Sequence, residues 1–147
     1  MPLPAPPASL AHGDITLRFE RIVPGEPERQ IVPAYRFAIV YREEISGHIS
    51  LRVEENRHVL GVVGHIGYEV LPSWRGRQFA LRACRALAPF ARTLKPRLLL
   101  TVDPTNIASI RTIEKLGAAF AGEFPVPPDD PHYAGGSRRK RHYWWTL

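Results

Sequence analysis

Between residues 70 and 80 the chain reads VLPSWRGRQFA, with Arg75 and Arg77 on either side of Gly76 and a helix-forming run after Phe79 and Ala80. A strand that turns tightly into a helix leaves several backbone N–H groups converging at the positive end of the helix dipole. Such a turn binds an anion. With Gly76 allowing close backbone approach and two guanidinium groups beside it, the anion that suits it is a pyrophosphate. Farther along, Asn106 stands directly before a second apolar-periodic run, where an asparagine serves as an N-cap. The extended stretch entering the loop, residues 62–70, carries one imidazole and one carboxylate. His65, Gly67 and Glu69 share one face of it, and Ile66, Tyr68 and Val70 share the other. The six histidines show no HExxH or paired-ligand spacing, so no metal site is expected.

A second chemical candidate lies near the C-terminus, where residues 138–145 read RRKRHYWW. Consecutive cations beside aromatic rings pair phosphates and stack bases, which is a nucleic-acid-binding reading. Its rival is structural: Tyr143, Trp144 and Trp145 as a core strand, with the cations in a solvated turn.

The elements that must position these groups follow from the patterning. Residues 14–22, DITLRFERI, alternate as a half-buried strand does, and residues 35–41, YRFAIVY, are aromatic and β-branched. Between them, three prolines and a glycine in residues 23–33 make a connector. Residues 43–47 read as a turn and 48–53 as the strand that completes a hairpin. Glycines at 61, 64 and 67 weaken residues 62–70 as a plain strand and invite a bulge or a close backbone approach. Ala80, Cys84, Leu87, Ala91 and Leu94 then step at helical spacing, with Pro89 predicting a kink or an early end. Residues 98–102, LLLTV, suit a strand buried on both faces. A helix over 107–116 closed by Gly117 and two β-like pieces, 118–126 and 141–147, complete the chain.

A chain of 147 residues fits one domain, and its 44% apolar content is enough for a core. The reading expects a flexible proline-rich tail over residues 1–12 and a single domain over 13–147. The lone cysteine, Cys84, permits no intrachain disulfide, and no segment reads as a signal peptide or as the ~20 apolar residues of a membrane span. A cytoplasmic protein with no membrane partner is expected. The net charge of +6 favours an anionic partner without choosing one.

At this point a resemblance enters. SWRGRQFA looks like the R/Q-x-x-G-x-G/A coenzyme loop of the GNAT N-acetyltransferases, with Arg75 first and Ala80 at the final small position. DPTNIASIRTIEKLGA resembles that family's second coenzyme segment, whose asparagine facing the pantetheine arm would be Asn106. The resemblance is clear over residues 47–124 and fainter before them. It implies an α+β fold with a mixed, mostly antiparallel central sheet flanked by helices. It also implies acetyl-CoA as co-substrate, bound by Val70, Arg75, Gly76, Arg77, Gln78, Phe79, Ala80 and Asn106. The implied reaction is direct attack of a primary amine, on a small molecule or a peptide, upon the thioester.

An alkylamine with a pKa near 10.4 is only about 0.04% neutral at pH 7, so a base must take its proton. Glu69 is the first candidate, His65 the second, and the backbone amide of Val70 is the candidate oxyanion donor. Two positions depart from the family pattern. Gln78 replaces the first loop glycine, so a long side chain must turn away from the phosphates or bond to them. Ile113 stands where the family often has the tyrosine that protonates the leaving thiolate, and Tyr143 or Tyr133 are the candidate replacements. The alternatives are a catalytically silent acyl-CoA-binding protein of the same fold and the nucleic-acid module above. A homodimer is left open.

Overall fold

The computed structural model describes residues 3–147. Its first sheet has five strands in the order β1 (Ser9–His12), β2 (Ile15–Val23), β3 (Ala34–Tyr41), β4 (Glu44–Arg52) and β5 (Ile66–Val70), each antiparallel to its neighbour. Helix α1 (Phe79–Arg92) covers one face of it. The chain then builds a three-stranded antiparallel sheet from β6 (Arg97–Val102), β7 (Ala119–Pro125) and β8 (Arg139–Thr146), with β8 central. Helix α2 (Ile107–Lys115) connects β6 to β7, and the short α3 (Pro131–Ala134) lies between β7 and β8.

Strand alternation sorts the side chains of the first sheet. Ile15, Leu17, Tyr35, Phe37, Ile39, Ile49 and Leu51 are completely buried and face Phe79, Ala83, Leu87 and Phe90 of α1. Their polar neighbours Arg18, Glu20, Arg36, His48 and Glu69 occupy the opposite face. In the second sheet Leu98, Leu100, Val102 and Tyr143 join the same core through Ile110 and Ile113 of α2. β6 is buried on both faces, as its run of leucines predicts, because Leu99 on its other side is also covered.

Several expected boundaries move. The N-terminal tail is not free up to residue 12: Ser9–His12 pair with β2, and the Tyr35 hydroxyl donates to the Pro4 carbonyl at 2.5 Å. Residues 1 and 2 of that tail lie outside the described residues. The β3–β4 turn sits at Arg42 and Glu43, both with positive φ (48° and 66°), so β4 begins at Glu44 where a turn was expected. Residues 62–64 are not strand. Val59–Val63 form a π-helical turn, and β5 begins only at Ile66.

Pro89 does not end α1, which runs on to Arg92. The carbonyl it deprives of a donor belongs to exposed Arg85, where water can serve. Among the described residues no helix is long and apolar enough to cross a membrane.

Candidate active site

Backbone hydrogen bonding joins the two sheets at His65. The N–H of His65 donates to the carbonyl of Leu99 at 2.8 Å, and the Leu99 N–H donates to His65 Nδ1 at 2.7 Å. The approach is so close that a Cβ on Gly64, whose φ is +69°, would lie 2.6 Å from the Leu99 oxygen. Only glycine fits there. Past this point β5 and β6 form no ladder, and a cleft of about 850 Å³ opens along β5, α1 and α2.

Backbone groups aim into that cleft for two reasons. Leu71 N–H donates to Ser46 and Arg52 N–H donates to the carbonyl of His65, so the odd-numbered residues of this stretch bond to β4. By alternation Tyr68 and Val70 turn their amides toward the unpaired edge. At the cleft's other wall, Arg82 is the first residue of α1 whose N–H reaches a helical carbonyl, that of Gln78 at 3.0 Å. The amides of Phe79, Ala80 and Leu81 have no partner within the helix, and no side chain caps it. All three residues line the cleft.

The loop before α1 is shaped by two left-handed residues, Gly76 at φ 84° and Gln78 at φ 59°. Gln78 thus takes the conformation that a glycine would hold more cheaply, and its Oε1 accepts from Lys115 Nζ at 3.2 Å, away from the loop. Arg75 lines the cleft and braces the loop by donating from Nε to the Val70 carbonyl at 3.0 Å. Arg77 stands apart, its guanidinium 5.1 Å from the centroid of the Trp74 ring and outside the cleft lining.

Asn106 lines the cleft and caps α2, its Oδ1 accepting from the Ser109 N–H at 3.2 Å. The N-cap role therefore holds, and the side-chain NH₂ has no protein hydrogen bond among the described residues. Facing it, the Tyr68 hydroxyl lies 2.5 Å from Ser109 Oγ. Burial pushes the Tyr68 phenol up to about 12 against the opposing effect of the Ser109 hydrogen bond, so it keeps its proton at neutral pH.

These two hydroxyls escaped the sequence reading, as did Arg111, Thr112 and Lys115, which line the same wall of α2. Ser109, Thr112 and Lys115 follow Asn106 at three-residue steps, a polar stripe that could have marked the cleft-facing side of the helix.

Three candidate catalytic residues fare differently. Glu69 borders the cleft, with its side chain 64% exposed. His65 does not serve as a base at this cleft. It is 1% exposed, its Nδ1 is taken by Leu99 N–H, and its Nε2 lies 3.3 Å from Glu55, which also pairs with Lys95.

Tyr143 and Tyr133 are also misplaced as proton donors. Tyr143 is buried in the core of the second sheet against Phe120, and Tyr133 lies on α3 under Arg138; neither borders the cleft. Ile113 is likewise buried in the core. Cys84, whose thiol burial raises to about 12, is chemically quiet.

The basic C-terminal run is consumed by structure. Arg139 pairs with Glu123 and Lys140 with Asp103, Arg141 covers the Phe120 ring, and His142 is buried against Gly61 and Phe124. Among the described residues no cluster of His, Cys, Asp or Glu could hold a metal ion.

Residues 6–119 match the model of the acetyltransferase (GNAT) domain. The chain belongs to the GNAT acetyltransferase family. Solved structures agree on the fold. A provisionally named acetyltransferase is 18% identical, with 97% of this chain and 88% of that one aligned at a TM-score of 0.70. The microcin C7 self-immunity acetyltransferase MccE, solved with acetyl-CoA and AMP, is 17% identical at a TM-score of 0.62. RimL, a ribosomal L7/L12 alpha-N-protein acetyltransferase solved with coenzyme A, is 18% identical at 0.60.

The alignments cover 82% and 78% of this GNAT chain but only 63% of MccE and 62% of RimL, so it spans less than two thirds of either. No curated protein sequence matches it at a significant level.

Proposed function

We propose that this protein transfers an acyl group, acetyl in the first instance, from acetyl-CoA to a primary amine by direct attack. The observation that carries the reading is the uncapped N-terminus of α1: three amides without a partner among the described residues and Arg75 converge on a cleft whose other wall is the unpaired edge of β5. A pyrophosphate satisfies those amides, and an extended pantetheine arm satisfies the strand edge as an added strand would. The thioester then lies beside the Val70 amide, which donates to the oxygen as the carbonyl becomes tetrahedral.

Glu69 takes the proton of the ammonium form and the freed amine attacks the thioester carbon. As the C–S bond breaks, the thiolate takes a proton from the Tyr68–Ser109 hydroxyl pair, which stands in for the missing tyrosine at Ile113, and the pair is reprotonated by the second proton that the nitrogen sheds, through water, as the amide forms. The acceptor is a small-molecule or peptide amine. Among the structural neighbours, RimL is an alpha-N-protein acetyltransferase, which is in keeping with an amine acceptor.

The deciding experiment follows thiol release from acetyl-CoA across a panel of alkylamines, amino acid amides and short peptides, alongside thermal unfolding with coenzyme. At 100 times its dissociation constant, acetyl-CoA adds about 2.7 kcal/mol to unfolding. Absence of any shift at millimolar acetyl-CoA refutes the assignment.

A further inference from the structure

The face of the five-stranded sheet turned away from α1 carries a row of ionisable side chains that ends at the cleft. His48 on β4 and Glu69 on β5 are directly opposite in register, and His48 Nδ1 lies 3.4 Å from Glu69 Oε1. The other ring nitrogen, Nε2, lies 3.5 Å from Glu20 Oε1 on β2, and that same oxygen accepts from Arg36 Nε on β3 at 3.2 Å. One imidazole therefore sits between two carboxylates, one bordering the cleft and one remote from it. Its Nδ1 is buried and makes no hydrogen bond among the described residues.

That orphan nitrogen has a chemical meaning. With Nε2–H directed at Glu20, Nδ1 offers a lone pair to Glu69, and an ionised carboxylate has nothing to donate to it. The lone pair gains a partner once Glu69 carries a proton.

We propose, resting on the acyl-transfer reading above, that Glu20, His48 and Glu69 form a proton relay and that the acceptor amine reaches the thioester across this polar sheet face. The ammonium N–H bond breaks as the Glu69 O–H bond forms, and the nitrogen lone pair attacks. Glu69 then gives the proton to His48 Nδ1 while the Nε2 proton passes to Glu20 and on to water. The relay returns Glu69 to its carboxylate form, and His48, left with its proton on Nδ1, regains the Nε2–H tautomer by exchange with water before the next turnover. His48 is a positioning residue in this scheme, and Glu69 touches the substrate.

The test reads the coupling without an acceptor and the catalysis with one. Side-chain ¹⁵N resonances of His48 are compared in the wild type, Glu69→Gln and Glu20→Gln. Loss of either carboxylate changes the tautomer balance and the ring-nitrogen chemical shifts of His48, since each carboxylate faces one of the two nitrogens.

In the amine panel, His48→Gln lowers kcat about tenfold and displaces the acidic limb of the pH profile with the KM for acetyl-CoA unchanged. Imidazole added to His48→Ala restores part of the rate. His48 ring-nitrogen resonances indifferent to the loss of both carboxylates, or a wild-type pH profile in His48→Gln, overturn the relay alone. No turnover with any amine overturns acyl transfer, and the relay with it.

Discussion

Gln78 shows how a single residue departs from its family yet keeps the geometry. The loop needs a left-handed conformation before the first turn of α1, and Gln78 adopts it at φ 59° with a cost of about 1 kcal/mol that glycine escapes. Its exposed contact with Lys115 returns little. Gln78→Gly is therefore expected to hold or lower the dissociation constant for acetyl-CoA with no loss of folding stability; isothermal titration and urea unfolding check both.

Tyr68 makes the opposite case, a residue with an ordinary place in a strand and a chemical role set by its partner. Tyr68→Phe removes only the hydroxyl, and should lower turnover by at least tenfold at unchanged acetyl-CoA affinity. Undiminished turnover would remove Tyr68 as the proton source. The loop was legible in the sequence because its glycine, arginines and following helix are local chemistry. The Tyr68–Ser109 pair was not, because its members are 41 residues apart and only the opening of the sheets brings them together.

At the scale of elements, Asn106 holds two roles that one substitution can separate. Asn106→Asp keeps an N-cap of equal quality and removes the NH₂ donors, so acetyl-CoA affinity should fall several-fold or more while the unfolding free energy stays within about 0.5 kcal/mol. Asn106→Ala should lose about 1 kcal/mol of stability as well, and comparison of the two by denaturation and titration assigns each role.

The β3–β4 turn is also informative, because Arg42 and Glu43 hold left-handed conformations that such residues adopt at a cost. Glu43→Gly should raise stability by up to about 1 kcal/mol, read as a higher urea midpoint with an unchanged slope. These residues carry no turn signal, which is why the hairpin was expected a few residues later. The π-helical turn at Val59–Val63 was hidden for a related reason: a β-branched run with glycines looks extended unless the close packing of Gly64 on Leu99 is known.

For the molecule as a whole, His65 connects fold to function. Its imidazole takes the place of a carbonyl, accepting the Leu99 N–H at the point beyond which β5 and β6 stay unpaired and the cleft begins. The alternation that placed it beside Glu69 could not foresee partners at Leu99 and Glu55. A neutral ring is required, because a protonated Nδ1 has no lone pair to offer. Burial holds its pKa below the ordinary 6.5 despite the opposing hydrogen bond with Glu55, and burial likewise lowers those of His132 and His142.

The sign follows from the unfolded chain, whose histidines take up protons near pH 6.5 while the folded ones resist. Stability from these groups is complete above about pH 6.5 and falls as the pH drops toward the folded-state values, each proton contributing at most about 1.4 kcal/mol per pH unit. The urea midpoint should therefore be lower at pH 5.5 than at pH 7.5. His65→Gln should be less stable at pH 7.5 but lose less on acidification, since one of the three protons no longer discriminates between the folded and unfolded chains. Equal midpoints for the wild type at the two pH values would show that His65 is not held neutral at the junction, and the origin of the cleft would then have to be sought in Gly64 alone.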